Sequence, residues 1–402
     1  MTEAHAARVR TLARKPRAPR MKADMMRRSR AKRLDSRTTN HGLAAEVQSL
    51  EARSLPTGTV TASLSNGSLT IGGDNLDNSI LISVRTTGIY LTGVQDVPKA
   101  PGDPATFTQI KFGSITENAG NEVFLTSSLS LKNLTILMRG GNDVVRMNVG
   151  VAAGDPNADA PDFSITGRVR FNLGAGNDHS ALLLKNGTLT IGGNLEGDLG
   201  NGDDCFLVEA DPQAPIKVGG NVIVLGRLGK DLIGFDGIDI NKSVTLLGGE
   251  QDDAIFVHAA TVKGNVRIDG YDGNDNIDIE NVTITGTTNL LGGAGNDGVR
   301  INNLIATGNV AVNMGSGDDL MSVGAITLGE KTKVTLDGSS GHDTLMSDTE
   351  PTDPPVKLLS IEDKAPKVDP TDVILSAIEA QLGDCLVALG VKAARSPARR
   401  TV

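Results

Sequence analysis

Between Leu246 and Asp343 the chain repeats one pattern of apolar and polar positions. Val244, Val266, Val310 and Val334 align ahead of a Gly/Asn/Asp turn, as do Leu246, Ile268, Leu290, Val312 and Leu336. After the turn come Ile255, Ile277, Val299, Met321 and Leu345, then Val257, Ile279, Ile301 and Val323. These residues alternate with polar ones, which is the periodicity of a strand with one buried face. The final aspartate of each turn stands at 253, 275, 297, 319 and 343, giving steps of 22, 22, 22 and 24 residues. A fixed period of this size marks a solenoid. Each coil reads as strand, turn, strand, a short third strand (Val282-Thr283-Ile284) and a corner. The prediction is an all-β, right-handed parallel β-helix of about 22 residues per coil around an aliphatic interior, with a C-terminal α-helix.

The pattern loosens toward the N-terminus. Leu69 to Ile82 reads as a degenerate first coil with Asn78 in the aspartate position, and Glu122 takes that place in Gly120-Asn121-Glu122-Val123. Asp143, Asp178, Asp204 and Asp231 continue the column, and an excursion at Gly154 to Asp162 fills the 35-residue step between the first two. Eleven turns are readable in all, a rod of roughly 50–60 Å at about 4.8 Å per coil. The expected division is a basic arm (1–58), the solenoid (59–348), a linker (349–368), and a helix with a basic tail (369–402). Asp369-Pro370 is a helix start, a cap residue followed by Pro at the first position. Val373, Ile374, Ala377, Ile378, Leu382, Cys385, Leu386 and Leu389 form an apolar stripe at helical spacing. Its expected role is to cover the open end of the solenoid, where strand edges lack partners; binding a partner or dimerising is the other.

Composition agrees with a narrow aliphatic core. Of 402 residues, 48 are Gly, 2% are aromatic and none is Trp, which Val, Ile and Leu filling a slim solenoid explains. No run approaches the roughly 18 apolar residues of a membrane helix, so no membrane span is expected. Cys205 and Cys385 lie too far apart for zinc or redox spacing and make no disulfide framework, so two inert thiols are expected. The net charge of −9 is uneven: residues 1–42 hold 13 Lys/Arg against 3 Asp/Glu, leaving 26 against 45, or −19, for the rest. An acidic solenoid repels nucleic acid and suits cations. The arm lacks aromatics and a periodic face, so it reads as a targeting or disordered segment rather than a nucleic-acid binder.

At the turn, glycine permits positive φ, and an acidic side chain can bind nearby backbone amides as Asx turns do. Gly292 to Arg300 resembles the Gly-Gly-x-Gly-x-Asp-x-aliphatic-x nonapeptide of hemolysin-type (RTX-like) calcium-binding repeats at every defined position; Gly270 to Asp278 departs only at the second Gly. The resemblance implies calcium between stacked turns, with Asp252, Asp253, Asp272, Asp275, Asp297, Asp318 and Asp319 as candidate ligands. Column aspartates about 4.8 Å apart would repel by roughly 1 kcal/mol in water, and a hard cation would relieve this. In that family the nonapeptides run in tandem; here each stands alone, so one column at most could bind, and Lys230 and His342 interrupt it.

Val47 to Pro56 is similar to the Leu-Glu-x-Arg-x-x-Pro stretch that follows a basic arm in surface and secreted proteins of planctomycete-type bacteria, which implies export. The expected function is therefore an exported or cell-surface structural or adhesive solenoid. Its expected partners are calcium and a surface polymer or another protein. The alternative is a polysaccharide-binding or polysaccharide-degrading β-helix, because Gly202-Asp203-Asp204-Cys205 looks like the Asp-Asp-Cys of polygalacturonases. Inverting hydrolysis needs paired carboxylates, but the accompanying Gly-His-Gly, Arg-x-Lys and sugar-stacking aromatics are missing, so no catalytic residue is expected.

Overall fold

The computed structural model describes residues 56–94, 107–117, 120–151, 159–347, 356–366 and 371–390, all within the compact unit Ala52–Val402. The basic arm, the Leu-Glu-x-Arg stretch before Pro56, the Pro-rich loop near Pro98, the helix start at Asp369-Pro370 and the basic tail lie outside the described residues. The repeat folds as a parallel β-solenoid of about eight turns with roughly 24 residues per coil. Two sheets, of fourteen and eighteen strands, run along it.

One coil shows how the pattern produces the fold. Val244–Glu250 lies in the first sheet and sends Val244 and Leu246 inward; after the turn, Ala254–Val262 lies in the second sheet and buries Ile255, Val257 and Val262. The next coil repeats this in register, Val244 opposite Val266, Leu246 opposite Ile268, Ile255 opposite Ile277. A bend at Ala259, with φ of 46°, splits the second-sheet strand into its two faces, and Asn281 and Asn303 bend the following coils in the same way. Ile277 and Ile301 are 1% and 0% exposed, as the alternation requires.

The turn glycines answer to stacking. Two residues before each column aspartate the backbone has positive φ, at Gly141, Gly176, Gly202, Gly229, Gly273, Gly295, Gly317 and Gly341 and at Gln251, whose φ is 80° and which alone is not glycine. A Cβ on any of the last seven of these glycines would overlap the carbonyl oxygen of the corresponding residue one coil earlier. Glycine is thus needed there both for its dihedral and for its missing side chain.

The ends differ from expectation. Glu122 is not on the column. It opens Glu122–Thr126, which pairs antiparallel with Gly88–Gly93, itself antiparallel to Ser79–Arg85, and its carboxylate takes a two-pronged contact from Arg85 at 2.7 and 3.0 Å. Pro56–Ser65 is likewise antiparallel to Ser68–Gly72 while pairing in parallel with Phe107–Phe112, so the N-terminal end mixes both kinds of pairing. At the other end the coils run beyond 348 into the expected linker. Val356–Leu359 and Asp363–Pro366 pair in parallel with Val334–Asp337 and Thr344–Ser347.

The C-terminal helix α1 (Thr371–Ala388) does not cover the open end. It lies along the flank of the second sheet, in contact with the strands at Leu232–Ile240, Ala254–Val262, Asn276–Ile284 and Gly298–Ala306. Ile374, Ile378, Leu382, Cys385 and Leu389 face Ala181, Leu183, Cys205, Leu207, Leu232, Ala254 and Phe256, the outward residues of the sheet. Leu375 is buried too, whereas Val373, expected in the stripe, is 65% exposed. The helix reaches from Gly298, which meets Ile374, back to Arg146, whose Nη1 donates to the Leu389 carbonyl at 2.7 Å. That guanidinium satisfies a carbonyl left over at the helix end. Cys205 and Cys385 are not free thiols: they form a disulfide, with Cα atoms 6.0 Å apart, that ties helix to sheet.

Two outcomes test this account. Ile277→Asp or Ile301→Asp should abolish the cooperative melt, because an unpaired charge in the aliphatic interior is very costly; a wild-type melting temperature would refute the inward assignment. Gly295→Ala should cost about 2 kcal/mol or more, while Gln251→Gly should be neutral or stabilise by up to about 1 kcal/mol, both read from denaturant melts.

Candidate functional site

The turn column is a ladder of carboxyl groups sealed inside the solenoid. Asp143, Asp178, Asp204, Asp231, Asp253, Asp275, Asp297, Asp319 and Asp343 are all 0–3% exposed. Each backbone N–H in the column donates to Oδ1 of the aspartate one coil further on, at 2.7–3.1 Å. Asn78 enters the ladder at its start by donating its N–H to Asp143 Oδ1, and Glu362 Oε2 ends it by accepting from Asp343. The other oxygen, Oδ2, is buried without a hydrogen-bond partner in all nine aspartates. In the coils of Gly226, Gly248, Gly270, Gly292 and Gly338 it occupies the space a Cβ on that glycine would fill. Where Met138, Leu173, Leu199 or Met314 stands instead, an apolar side chain adds to the core.

A second row runs outside the first with opposite polarity. Asp77, Asn142, Asn177 and Asp203 each accept the N–H of the next coil, as do Asp252, Asn274, Asn296 and Asp318. Lys230 and His342 belong to this row, not to the inner column, which continues unbroken through Asp231 and Asp343. Lys230 fills the break with its own charge, its Nζ 2.6 Å from Asp252 Oδ2. A third series, including Asn194, Asn221, Ser243 and Asn265, caps the opposite corner in the same manner. The turn and the opposite corner thus both have side-chain oxygens bonded to backbone amides that the sheets leave unpaired.

The seven candidate calcium ligands therefore separate. Asp253, Asp275, Asp297 and Asp319 are in the inner ladder; Asp252 and Asp318 are in the outer row; Asp272 is exposed at the end of Val266–Asp272. One carboxylate oxygen of each inner aspartate is already bonded, leaving Oδ2 alone as a possible ligand atom. Among the described residues, the group of three metal-ligating side chains that does converge is elsewhere: His258, Asp278 and Glu280, with ligand atoms within 4.8 Å. It sits on the outer face of the second sheet, and Arg300 holds it together. Asp278 contacts His258 Nε2 at 2.9 Å and Arg300 Nη1 at 2.7 Å; Glu280 accepts from Arg300 at 2.9 Å and Asn302 at 3.3 Å. Every carboxylate oxygen is engaged, so the group is an ion cluster, although Arg300 Nε is buried in it without a partner. The 22-residue period alone puts His258 beside Glu280 and Asp278 beside Arg300, and these charges in outward positions were the available signal.

Burial sets the charge state of the ladder. It pushes Asp204 and Asp253 up to about 9 and Asp143 to about 8; neighbouring carboxylates add to this and the backbone N–H bonds oppose it. Burial likewise raises Asp178, Asp231, Asp275 and Asp297 to about 7 and Asp319 to about 6. Asn78 shows what a neutral group does at this place: its Nδ2, beside Gly73, donates to the Leu76 carbonyl at 2.5 Å. A protonated Oδ2 is the aspartate counterpart of that amide.

Comparison with family models, curated proteins and solved structures finds no match.

The raised values fix the sign of the pH dependence. Unfolded aspartate titrates near 3.9, so the ladder's contribution is complete below about pH 4 and is lost as pH rises through about 6–9. In chelator, the protein should melt higher at pH 5 than at pH 9.5. Asp253→Asn should keep the fold and flatten the alkaline fall, whereas Asp253→Ala, which strands the Asp231 N–H, should cost about 1–3 kcal/mol. Equal or greater stability at pH 9.5 would contradict a neutral ladder.

Proposed function

We propose that the chain is an exported structural or adhesive β-solenoid, a rigid spacer or scaffold at the cell surface. The observation that carries this reading is the Cys205–Cys385 disulfide, since such bonds form and persist in oxidising compartments and are rare in reducing ones. It closes 180 residues of chain, a length at which a crosslink restricts the unfolded state strongly. The three series of capped corners suit a rod that must hold its shape without an enclosing domain. A role without catalysis goes with this reading. Asp203 and Asp204 each accept a backbone N–H and Cys205 is bridged, so the polygalacturonase-like triplet is occupied in structural bonds.

The test is thiol counting on protein taken from its native compartment. No free thiol should react under denaturing, non-reducing conditions, and reductant or Cys385→Ser should lower stability by about 2–5 kcal/mol. Two reactive thiols with an unchanged melt would remove the basis for export.

Calcium is the second reading, favoured by the row of buried Oδ2 atoms. An ion there would need six to eight oxygens at about 2.3–2.6 Å, so turn carbonyls would have to supply most of them. Under this reading millimolar calcium raises the melting temperature above that in chelator, magnesium substitutes poorly, and Asp297→Asn reduces the shift more than Asp143→Asn. An unchanged melting temperature leaves the column as a hydrogen-bonded ladder alone.

A further inference from the structure

Four residues before each column aspartate the chain again takes positive φ, at Arg139, Gly174, Gly200, Arg227, Gly249, Tyr271, Gly293, Gly315 and Ser339. Glycine meets this requirement at five of the nine coils; Arg227, with φ of 89°, and Tyr271, with φ of 75°, hold a strained conformation that glycine would not. These two occupy alternate coils, with Gly249 between them in register. Around them lies a cleft of about 390 Å³ on the outer face of the first sheet. Leu225, Leu247, Arg227, Tyr271, Glu250 and Asp272 line it. Tyr271 is 42% exposed in a chain with only two tyrosines and no Trp.

The charges decide what such a cleft would hold. Arg227 is neutralised by Asp198, its Nη2 2.9 Å from Oδ2, and the neighbouring Arg267 is neutralised by Asp269 at 2.6 Å. Glu250 and Asp272 have no ion-pair partner among the described residues, which leaves the cleft with two surplus negative charges. A lining of apolar side chains, an aromatic ring and paired carboxylates matches a cation on an aliphatic stem. We propose that this cleft is a binding site for an alkylammonium group, the lysine side chain of a basic peptide segment, with its stem on Leu225 and Leu247 and its charge between Glu250, Asp272 and the Tyr271 ring. The strain at Tyr271 and Arg227 is then retained for binding rather than for the fold.

Hexalysine is the probe, titrated into the full chain by calorimetry, with tyrosine fluorescence as a second readout. Saturable binding is expected, weakened at least about tenfold by Glu250→Gln/Asp272→Asn and by Tyr271→Gly, and little changed by Tyr271→Phe or the distant Glu330→Gln. Tyr271→Gly should leave the melting temperature unchanged or raise it, which a purely structural tyrosine would not do. Free glucosamine, an ammonium without an aliphatic stem, should not compete. The proposal is overturned if hexalysine does not bind, if Glu330→Gln weakens binding as much as the cleft variants, if glucosamine competes, or if Tyr271→Gly lowers stability and leaves binding intact.

Discussion

The spacing between stacked coils, about 4.8 Å, is the constraint on which the rest of the structure depends. Parallel strands satisfy it along the faces, where each residue meets its counterpart one coil away. At the corners the strands stop and the amides lose their ladder partners. The chain answers with side chains that reach across one coil spacing: Asp in the inner ladder, Asp and Asn in the outer row, Asn and Ser at the far corner. The same closeness removes side chains where the backbone itself approaches. A Cβ at Gly295 or Gly317 would occupy the position of the preceding coil's carbonyl oxygen.

The inner ladder carries a cost that the outer row avoids. Outer carboxylates stay in contact with water, and Asp252 also has Lys230. Inner aspartates give one oxygen to an amide and bury the other, with further acids above and below. Fully ionised, nine such groups would repel along the whole column; neutral, they behave as Asn78 does. Protonation and a bound cation are the two ways to remove that repulsion, and they differ in what they require. Protonation needs only an acceptor near Oδ2, while a cation needs room for a full oxygen shell beside atoms packed against glycine.

The flank under α1 shows a different use of the solenoid. A sheet with a wet outer face alternates apolar and polar residues, but Ala181-Leu182-Leu183-Leu184, Cys205-Phe206-Leu207-Val208 and Ala254-Ile255-Phe256-Val257 are apolar on both faces. The helix buries the outward half of these runs, and the disulfide lies within the apolar contact it secures. Where the helix ends, the outer face changes character, to Arg146 at one end and the His258–Asp278–Arg300–Glu280 cluster near the other.

Sequence alone determined the coil, its aliphatic interior and its glycine and aspartate positions, because a repeat imposes the same local requirement on every coil and so writes it many times. Asn78 was legible as the first column residue for that reason. What occurs once was not legible by period. Glu122 sits in a turn that looks right, yet its strand pairs antiparallel at the N-terminal end, and Val356–Leu359 lies beyond Pro residues that read as a linker. The continuous apolar runs at Ala181, Cys205 and Ala254 depart from the alternation of a half-buried strand, and the structure shows the helix that covers their outward half. The partner of Cys205, 180 residues away, and the seat of α1 on the flank depend on where the chain returns after the last coil. Only the tertiary structure decides that, since no local pattern specifies which of several apolar surfaces a connected helix will bury.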